Sequence, residues 1–329
     1  MKGRMLGQNG PIVSPIGLGC MKMSGFGGSK VDLESEKESI ATIQEALDVG
    51  INFLNTGDFY GMGHNEMLVG RAIAGRRDQA FISVKFGGQM APSGGFLGLD
   101  TSPNSLKNFA SYSLRRLGVD VIDLYQPCRI DPNVPIEETV GAIADLIRDG
   151  RVRYLGLSEV NAEQLRRAHA VHPVTALEIE YSLATRLIEP EILPVARSLG
   201  IGIVAYNVLG LGLLSGAIQG LLPADDPRTH FPRLSNENLA KNVEKVGFLS
   251  EIAAEKNCTP AQIAIAWVLS RGKDIVPLVG MNRRSRLAEN LTALKIVLTD
   301  KELQALDQHF FDGAISGERY PEQVRHLSP

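Results

Sequence analysis

Residues 51–60 of the chain read Ile-Asn-Phe-Leu-Asn-Thr-Gly-Asp-Phe-Tyr, a short apolar run that ends in polar side chains and a tyrosine. Residues 80–88 repeat this pattern as Ala-Phe-Ile-Ser-Val-Lys-Phe-Gly-Gly, with a lysine near the end of the run. An amphipathic helical pattern over residues 65–74 separates the two stretches. Short apolar runs bounded by glycine are typical of buried strands, so the predicted unit is strand, helix, strand.

The same unit recurs along the whole chain. Predicted strands cover residues 14–18, 51–56, 80–86, 121–127, 154–157, 177–181, 202–206 and 275–279. Predicted helices cover residues 33–48, 65–74, 103–117, 135–148, 162–171, 190–199, 260–270, 283–294 and 300–309. Eight strands, each followed by a helix, predict one α/β domain over residues 1–329, a closed (β/α)8 TIM barrel. An open doubly wound sheet is disfavoured because no GxGxxG turn follows the first strand.

Composition limits the classes of function. The chain has 329 residues, of which 44% are hydrophobic and 22% charged, and a net charge of −3 without long blocks of like charge. This argues against nucleic-acid and membrane-surface partners. The three cysteines (Cys20, Cys128 and Cys258) lack the spacing of a disulfide scaffold or zinc site, so no metal is expected. No signal peptide or apolar run of about 18 residues is recognisable, which predicts a cytoplasmic protein.

Three long connections interrupt the regular pattern, over residues 87–102, 208–236 and 311–329. The first two follow the third and seventh predicted strands, so they are expected at the C-terminal face of the barrel, where active sites lie. The tail at 311–329 is expected either to be disordered or to contribute to a substrate pocket. Aromatic residues in these connections (Phe96, Phe231, Phe311 and Tyr320) are candidate pocket walls.

Tyr60 and Lys85 stand at the ends of the second and third predicted strands. A phenol with a pKa near ~10 becomes a useful proton donor when an ammonium group lies beside it. Carbonyl reduction by a hydride donor requires such an acid. The pair is therefore the candidate catalytic centre.

Several segments, taken together and in order, resemble the aldo-keto reductase family over nearly the whole chain. They are residues 50–66 around Tyr60, 84–87 (Val-Lys-Phe-Gly), 156–158 (Gly-Leu-Ser), 180–183 (Glu-Tyr-Ser-Leu), 205–206 (Ala-Tyr) and 286–290 (Arg-Leu-Ala-Glu-Asn). The resemblance implies an NADP(H)-dependent enzyme that interconverts an aldehyde or ketone and the alcohol. It also implies that Tyr60 is the general acid and that Lys85 lowers its pKa.

The resemblance further implies a set of cofactor contacts. Tyr206 would stack on the nicotinamide and Ser158 would bind its carboxamide. Arg286 and Asn290 would meet the adenosine end, with Arg286 or Arg283 pairing with a 2′-phosphate. The remaining expected contacts are Met21, Glu159, Glu178, Asn207, Leu209, Gly280, Asn282 and Glu289.

Four positions depart from the family pattern. Asn55 replaces the aspartate that would pair with Lys85, so the ammonium is expected to lack its charge partner unless Asp58 compensates. Cys128 replaces a histidine, and a buried, inert thiol is expected there rather than a nucleophile. Glu159 and Glu178 replace amides beside the nicotinamide. Their charge is expected to favour the oxidised cofactor and a dehydrogenase direction, unless Glu159 turns outward.

Two other functions stay open at this point. A nicotinamide-nucleotide-binding sensor with little turnover is one, because both Asn55 and Cys128 depart from the expected catalytic set. A non-redox barrel lyase that uses Lys85 as a Schiff base is the other, because lysine at a barrel strand end suits that chemistry. The expected partner in the main interpretation is a small carbonyl or alcohol substrate. The oligomeric state is left open.

Overall fold

The computed structural model describes residues 1–25 and 31–329 and has a closed barrel of eight parallel strands at its centre. In chain order the strands are β1 (Gly17–Gly19), β2 (Phe53–Gly57), β3 (Phe81–Phe86), β4 (Ile122–Pro127), β5 (Val152–Ser158), β6 (Ala176–Glu180), β7 (Gly202–Tyr206) and β8 (Ile275–Gly280). Each strand pairs with the next, and β8 closes the ring against β1. The predicted (β/α)8 barrel is confirmed.

Helices surround the barrel and connect its strands. They are α1 (Leu33–Asp48), α2 (His64–Ala72), α3 (Pro103–Leu117), α4 (Ile136–Arg148), α5 (Ala162–Val171), α6 (Ile192–Ser198), α7 (Asn236–Glu255), α8 (Pro260–Ser270), α9 (Arg284–Leu291), α10 (Asp300–His309) and α11 (Glu322–Arg325). Among the described residues, no helix combines the length and apolar composition needed to cross a membrane.

Helix α7 was not predicted from the sequence. It follows the long connection after β7 and runs for 20 residues. Its buried apolar positions are Leu239, Val246, Leu249, Ile252 and Ala253. These residues recur at intervals of three, four and seven, which is the periodicity of one helix face. The sequence therefore contains the apolar periodicity of a helix here, although the many polar side chains between these positions make it hard to recognise.

Two antiparallel hairpins accompany the barrel. Arg4–Met5 pairs with Ile12–Val13, at the N-terminal end of the barrel strands. Gly88–Met90 pairs with Phe96–Leu99, so a part of the connection predicted over residues 87–102 is a short ribbon rather than an irregular loop.

Side chains that face the barrel interior change in character along the strands. Residues two apart on a strand share a face. Near the strand starts, the interior is filled by an apolar cluster of Leu6, Val13, Phe53, Phe81, Leu124, Ala176, Val204, Val276 and Leu278. Two residues after Phe53, Phe81 and Ala176, the buried positions are Asn55, Ser83 and Glu178. The interior thus becomes polar towards the C-terminal strand ends, where barrel active sites lie.

Candidate active site

A cavity of about 370 Å³ opens among the C-terminal ends of the barrel strands, a size suited to small ligands. The four predicted catalytic residues, Asn55, Tyr60, Lys85 and Cys128, all line it. Predicted cofactor contacts that line it are Met21, Ser158, Glu178, Tyr206, Asn207, Leu209 and Gly280. A larger groove of about 980 Å³ at the opposite end of the barrel contains none of the predicted site residues.

The Lys85 ammonium is held by two side chains. Its Nζ donates hydrogen bonds to Asn55 Oδ1 at 2.5 Å and to Glu178 Oε1 at 2.8 Å. The other Glu178 oxygen accepts from Asn55 Nδ2 at 2.7 Å and from Gln126 Nε2 at 2.6 Å. The expectation that Lys85 lacks a charge partner is therefore wrong. Glu178 supplies the carboxylate because it faces the barrel interior from β6.

Burial alone would lower the pKa of Lys85, but the charges of Glu178 and Tyr60 raise it above its ordinary value. The ammonium therefore stays protonated at neutral pH. Asp58 does not provide the missing charge. Burial raises the pKa of its carboxyl to about 8, so this group is largely protonated at neutral pH.

Tyr60 is 9% exposed and lies three residues after the end of β2. Lys85 Nζ lies 5.2 Å from the centre of its ring and within hydrogen-bonding reach of its hydroxyl. Burial raises the pKa of the Tyr60 phenol, and the nearby Lys85 charge lowers it again in part. The net shift is upward, so the phenol holds its proton at neutral pH and can donate it.

Cys128 lies at the end of β4, where it lines the cavity and is buried. Burial raises the pKa of its thiol to about 12. A thiol rather than a thiolate is therefore present at neutral pH, which agrees with the interpretation of an inert buried cysteine.

Glu159 was expected either to face the nicotinamide with its charge or to turn outward, and it does neither. Its carboxylate is buried, with Oε2 accepting from Arg319 Nη2 at 2.6 Å and Oε1 from the Glu180 backbone amide at 2.9 Å. Arg319 Nε also donates to Glu180 Oε2 at 3.1 Å. Because Arg319 offsets Glu159 and Lys85 offsets Glu178, the two glutamates present no uncompensated charge to the cavity.

The C-terminal segment contributes Tyr320, a predicted pocket wall, and Arg319, which was not predicted. Arg319 and Tyr320 line the cavity, and the Tyr320 hydroxyl lies 2.6 Å from that of Tyr206. Phe231 lines the cavity as well, whereas Phe96 and Phe311 are exposed. Tyr320 and Phe231 carried a sequence signal as aromatics in long connections, but no local pattern pointed to Arg319.

Arg129 and Lys22 are two further lining residues that were not predicted. Burial and the neighbouring charges of Arg228 and Arg286 lower the pKa of Lys22. A basic group therefore extends from the cavity towards the start of α9.

The remaining predicted contacts lie outside the cavity lining. They are Glu159, Asn282, Arg283, Arg286, Glu289 and Asn290, and all except Glu159 lie at or near α9. Arg283 and Arg286 are exposed, and Arg286 pairs with Glu289 at 2.7 Å. Among the described residues, no cluster of His, Cys, Asp and Glu is arranged to hold a metal.

Comparisons with known proteins agree with the family resemblance. The profile of the Aldo/keto reductase family matches residues 15–310. A protein of Glycine max described as probable aldo-keto reductase 1 is 41% identical over 327 residues, which is 98% of this chain and 93% of that relative.

Two solved structures share the fold. A glycerol dehydrogenase of Gluconobacter oxydans has a TM-score of 0.85 and 28% identity, with 94% of each chain covered. An aldo-keto reductase of Bacillus halodurans, solved in its holo form, has a TM-score of 0.78 and 26% identity, with 99% of each chain covered. The chain therefore belongs to the aldo/keto reductase family, and it is an oxidoreductase that acts on carbonyl and alcohol groups.

Proposed function

We propose that the protein is an NADP(H)-dependent reductase of small aldehydes or ketones, with Tyr60 as the proton donor and Lys85 as its tuning cation. The observation that carries the proposal is the buried series Tyr60, Lys85, Glu178. Lys85 stays charged because Glu178 lies 2.8 Å from its ammonium, and the charged Lys85 is within reach of the Tyr60 hydroxyl. A positioned acid of this kind accelerates proton transfer by about 10²–10⁴-fold.

The residues present fit a nicotinamide cofactor. The cavity lining includes Tyr60 and Gly280. A Cβ built on Gly280 would meet no atom within 4 Å, so there is room for a ligand beside this glycine. Tyr206 and Ser158 would hold the nicotinamide, while the cationic side chains of Lys22 and the α9 arginines suit its phosphates. When bound, this cofactor supplies or accepts the hydride.

The protonation of Tyr60 suits the reduction that we propose. Carbonyl reduction starts from the phenol, which burial keeps protonated, and the Lys85 charge favours release of its proton. Arg319 and Lys85 balance the charges of Glu159 and Glu178. The two glutamates are therefore not expected to favour the cationic, oxidised nicotinamide. Arg319 and Tyr320 form the part of the wall that we assign to the substrate pocket.

Neither alternative function has comparable support. A Schiff base requires an uncharged lysine, but Glu178 and Tyr60 raise the pKa of Lys85 and hold it as an ammonium. A sensor without turnover would not need the Tyr60 and Lys85 pair that the barrel keeps buried together.

Tyr60→Phe tests the proposal, with exposed Tyr112→Phe as the matched control. Carbonyl reduction, followed by NADPH absorbance with a panel of aldehydes, should fall at least about 100-fold in Tyr60→Phe. NADPH binding, followed by fluorescence quenching, should persist in both variants. Unchanged turnover in Tyr60→Phe would overturn the assignment of the acid, and a lack of NADPH binding by the unmodified protein would overturn the function.

A further inference from the structure

Arg129 follows Cys128 at the end of β4 and lines the cavity. Its hydrogen-bond acceptors are the Cys128 carbonyl oxygen at 2.7 Å and the hydroxyls of Tyr206 at 3.3 Å, Tyr320 at 3.2 Å and Ser328 at 3.2 Å. All four acceptors are neutral. In the part of the chain that the structure describes, Arg129 is in no ion pair with a carboxylate, although its guanidinium is largely enclosed.

The carboxylates nearest to Arg129 are already engaged by other cations. Arg319 pairs with Glu159 at 2.6 Å and with Glu180 at 3.1 Å, and Arg233 lies 3.7 Å from Glu180. Three guanidinium groups therefore face two buried carboxylates, since the other carboxylate near Arg233, Glu318, is exposed and lies 3.8 Å from Arg325. The enclosed groups thus carry one positive charge in excess. In addition, Arg319 Nη1 is buried and has no hydrogen-bond partner among the described residues.

We propose that the cavity takes carbonyl substrates that carry a carboxylate, and that Arg129 binds this carboxylate. The inference rests on the proposed function, since it names the substrate class of the same site. A buried cation without an anion is unfavourable, and a substrate carboxylate would offset it. One N–H of Arg129 Nη1 is not used by its four acceptors and can donate to such a group, and Arg319 Nη1 is a second donor at the same cavity.

The cofactor's phosphates are the other anions that could bind Arg129, but a separate set of cations is available for them. Lys22 lies within the electrostatic range of Arg228 and Arg286, which places a separate group of cations towards α9. Arg129 lies instead beside Cys128 and Tyr206, at the catalytic end of the cavity.

The test compares matched substrates with the full-length protein and NADPH. The probes are 2-, 3- and 4-carboxybenzaldehyde, each against the carbamoylbenzaldehyde with the same ring position, which has nearly the same shape but no charge. For at least one position, kcat/KM should favour the acid by about 10- to 100-fold, the range expected of a charge-assisted hydrogen bond. Arg129→Gln should bring this ratio close to one, and Arg129→Lys should retain a part of it.

Exposed Arg325→Gln on the same segment is the matched control and should keep the ratio of the unmodified protein. Calorimetric binding of benzoate against benzamide without cofactor gives a readout that does not depend on turnover, and it should show a preference for benzoate that Arg129→Gln removes. A purely structural role for Arg129 would lower both rates together and leave the ratio unchanged, which would overturn the inference.

Two further outcomes separate this inference from the proposed function. Equal reduction of acids and amides by the unmodified protein would overturn the inference and leave the reductase assignment standing. Weaker NADPH binding in Arg129→Gln with an unchanged substrate ratio would also overturn it, because Arg129 would then serve the cofactor. If none of the six aldehydes is reduced, the proposed function and the inference are overturned together.

Discussion

The ammonium of Lys85 and the carboxylate of Glu178 lie 2.8 Å apart, although two strands separate β3 from β6 around the barrel. Asn55 and Gln126 hold the other Glu178 oxygen from β2 and β4. The negative charge that balances the lysine therefore comes from across the barrel rather than from the neighbouring strand. Asn55 lies between Lys85 and Glu178 and forms a hydrogen bond with each of them.

Glu178→Gln should impair catalysis and stability together. It leaves a buried ammonium without an anion, which costs about 3–5 kcal/mol of the free energy of unfolding. Without the Glu178 charge, burial lowers the pKa of Lys85 and favours its neutral form. A neutral Lys85 would no longer favour ionisation of Tyr60, so kcat for carbonyl reduction should fall by about 100-fold. Urea unfolding and NADPH kinetics measure the two effects, and exposed Glu163→Gln is the control.

Transfer of the negative charge from position 178 to position 55 should restore carbonyl reduction. In the double variant Asn55→Asp/Glu178→Gln, a carboxylate stands where Asn55 Oδ1 now accepts from Lys85. We expect kcat to recover to within about tenfold of the unmodified protein, because the ammonium again has an adjacent anion. If the double variant is as inactive as Glu178→Gln, then Glu178 acts through more than its charge.

Asp58 should make stability depend on pH. Its pKa is raised to about 8 in the folded protein, mainly by burial and then by Glu66, whereas an unfolded aspartate titrates near ~3.9. Between these values the folded state binds a proton that the unfolded state has lost, so the free energy of unfolding falls as pH rises. Between pH 5 and pH 8, the free energy of unfolding of Asp58→Asn should therefore fall by a few kcal/mol less than that of the unmodified protein.

Urea unfolding at both pH values measures the effect. Exposed Asp78→Asn should decline with pH as the unmodified protein does. Equal declines in the unmodified protein and in Asp58→Asn would show that Asp58 is ionised in the fold.

Cys128 should resist alkylation in the native state. With a pKa of about 12, fewer than about one thiol in ten thousand is ionised at pH 7.5, and the thiolate is the reactive form. Cys20, which is buried and has a pKa raised to about 12, should resist as well, so iodoacetamide should label the more accessible Cys258 first. Mass spectrometry of digests reports the order, and rapid labelling of Cys128 with loss of activity would contradict it.

Arg319 should stabilise the fold from the C-terminal segment. Arg319→Met leaves the buried carboxylates of Glu159 and Glu180 without the cation nearest to them, at a cost of about 3–5 kcal/mol in the free energy of unfolding. Arg319→Lys should lose less, because the charge remains. Exposed Arg325→Met provides the control, and equal stabilities of the two methionine variants would show that the Arg319 pairs contribute nothing.

Local sequence patterns predict most of the barrel, because each strand and helix carries its own periodicity. All eight barrel strands were placed within a few residues of their observed bounds. Helix α7 and the hairpin from Gly88–Met90 to Phe96–Leu99 were missed, since polar residues dilute the first and glycines interrupt the second. The residues that line the cavity at strand ends, such as Tyr60 and Lys85, could be predicted because strand ends converge on one face.

Contacts across the barrel could not be read from the sequence in the same way. The pairing of Lys85 with Glu178 spans 93 positions and depends on how the strands stagger around the ring. Arg319 reaches Glu159 over 160 positions from a segment without a strong local pattern. In both cases the residue types were visible, but only the closed ring shows which charges meet.

The position of Arg319 and Tyr320 also has a consequence for synthesis of the protein. The last barrel strand, β8, ends at Gly280, well before these two residues are added to the growing chain. The segments that carry Tyr60 and Lys85 are therefore made early, whereas the wall that Arg319 and Tyr320 form is among the last parts of the cavity to be added.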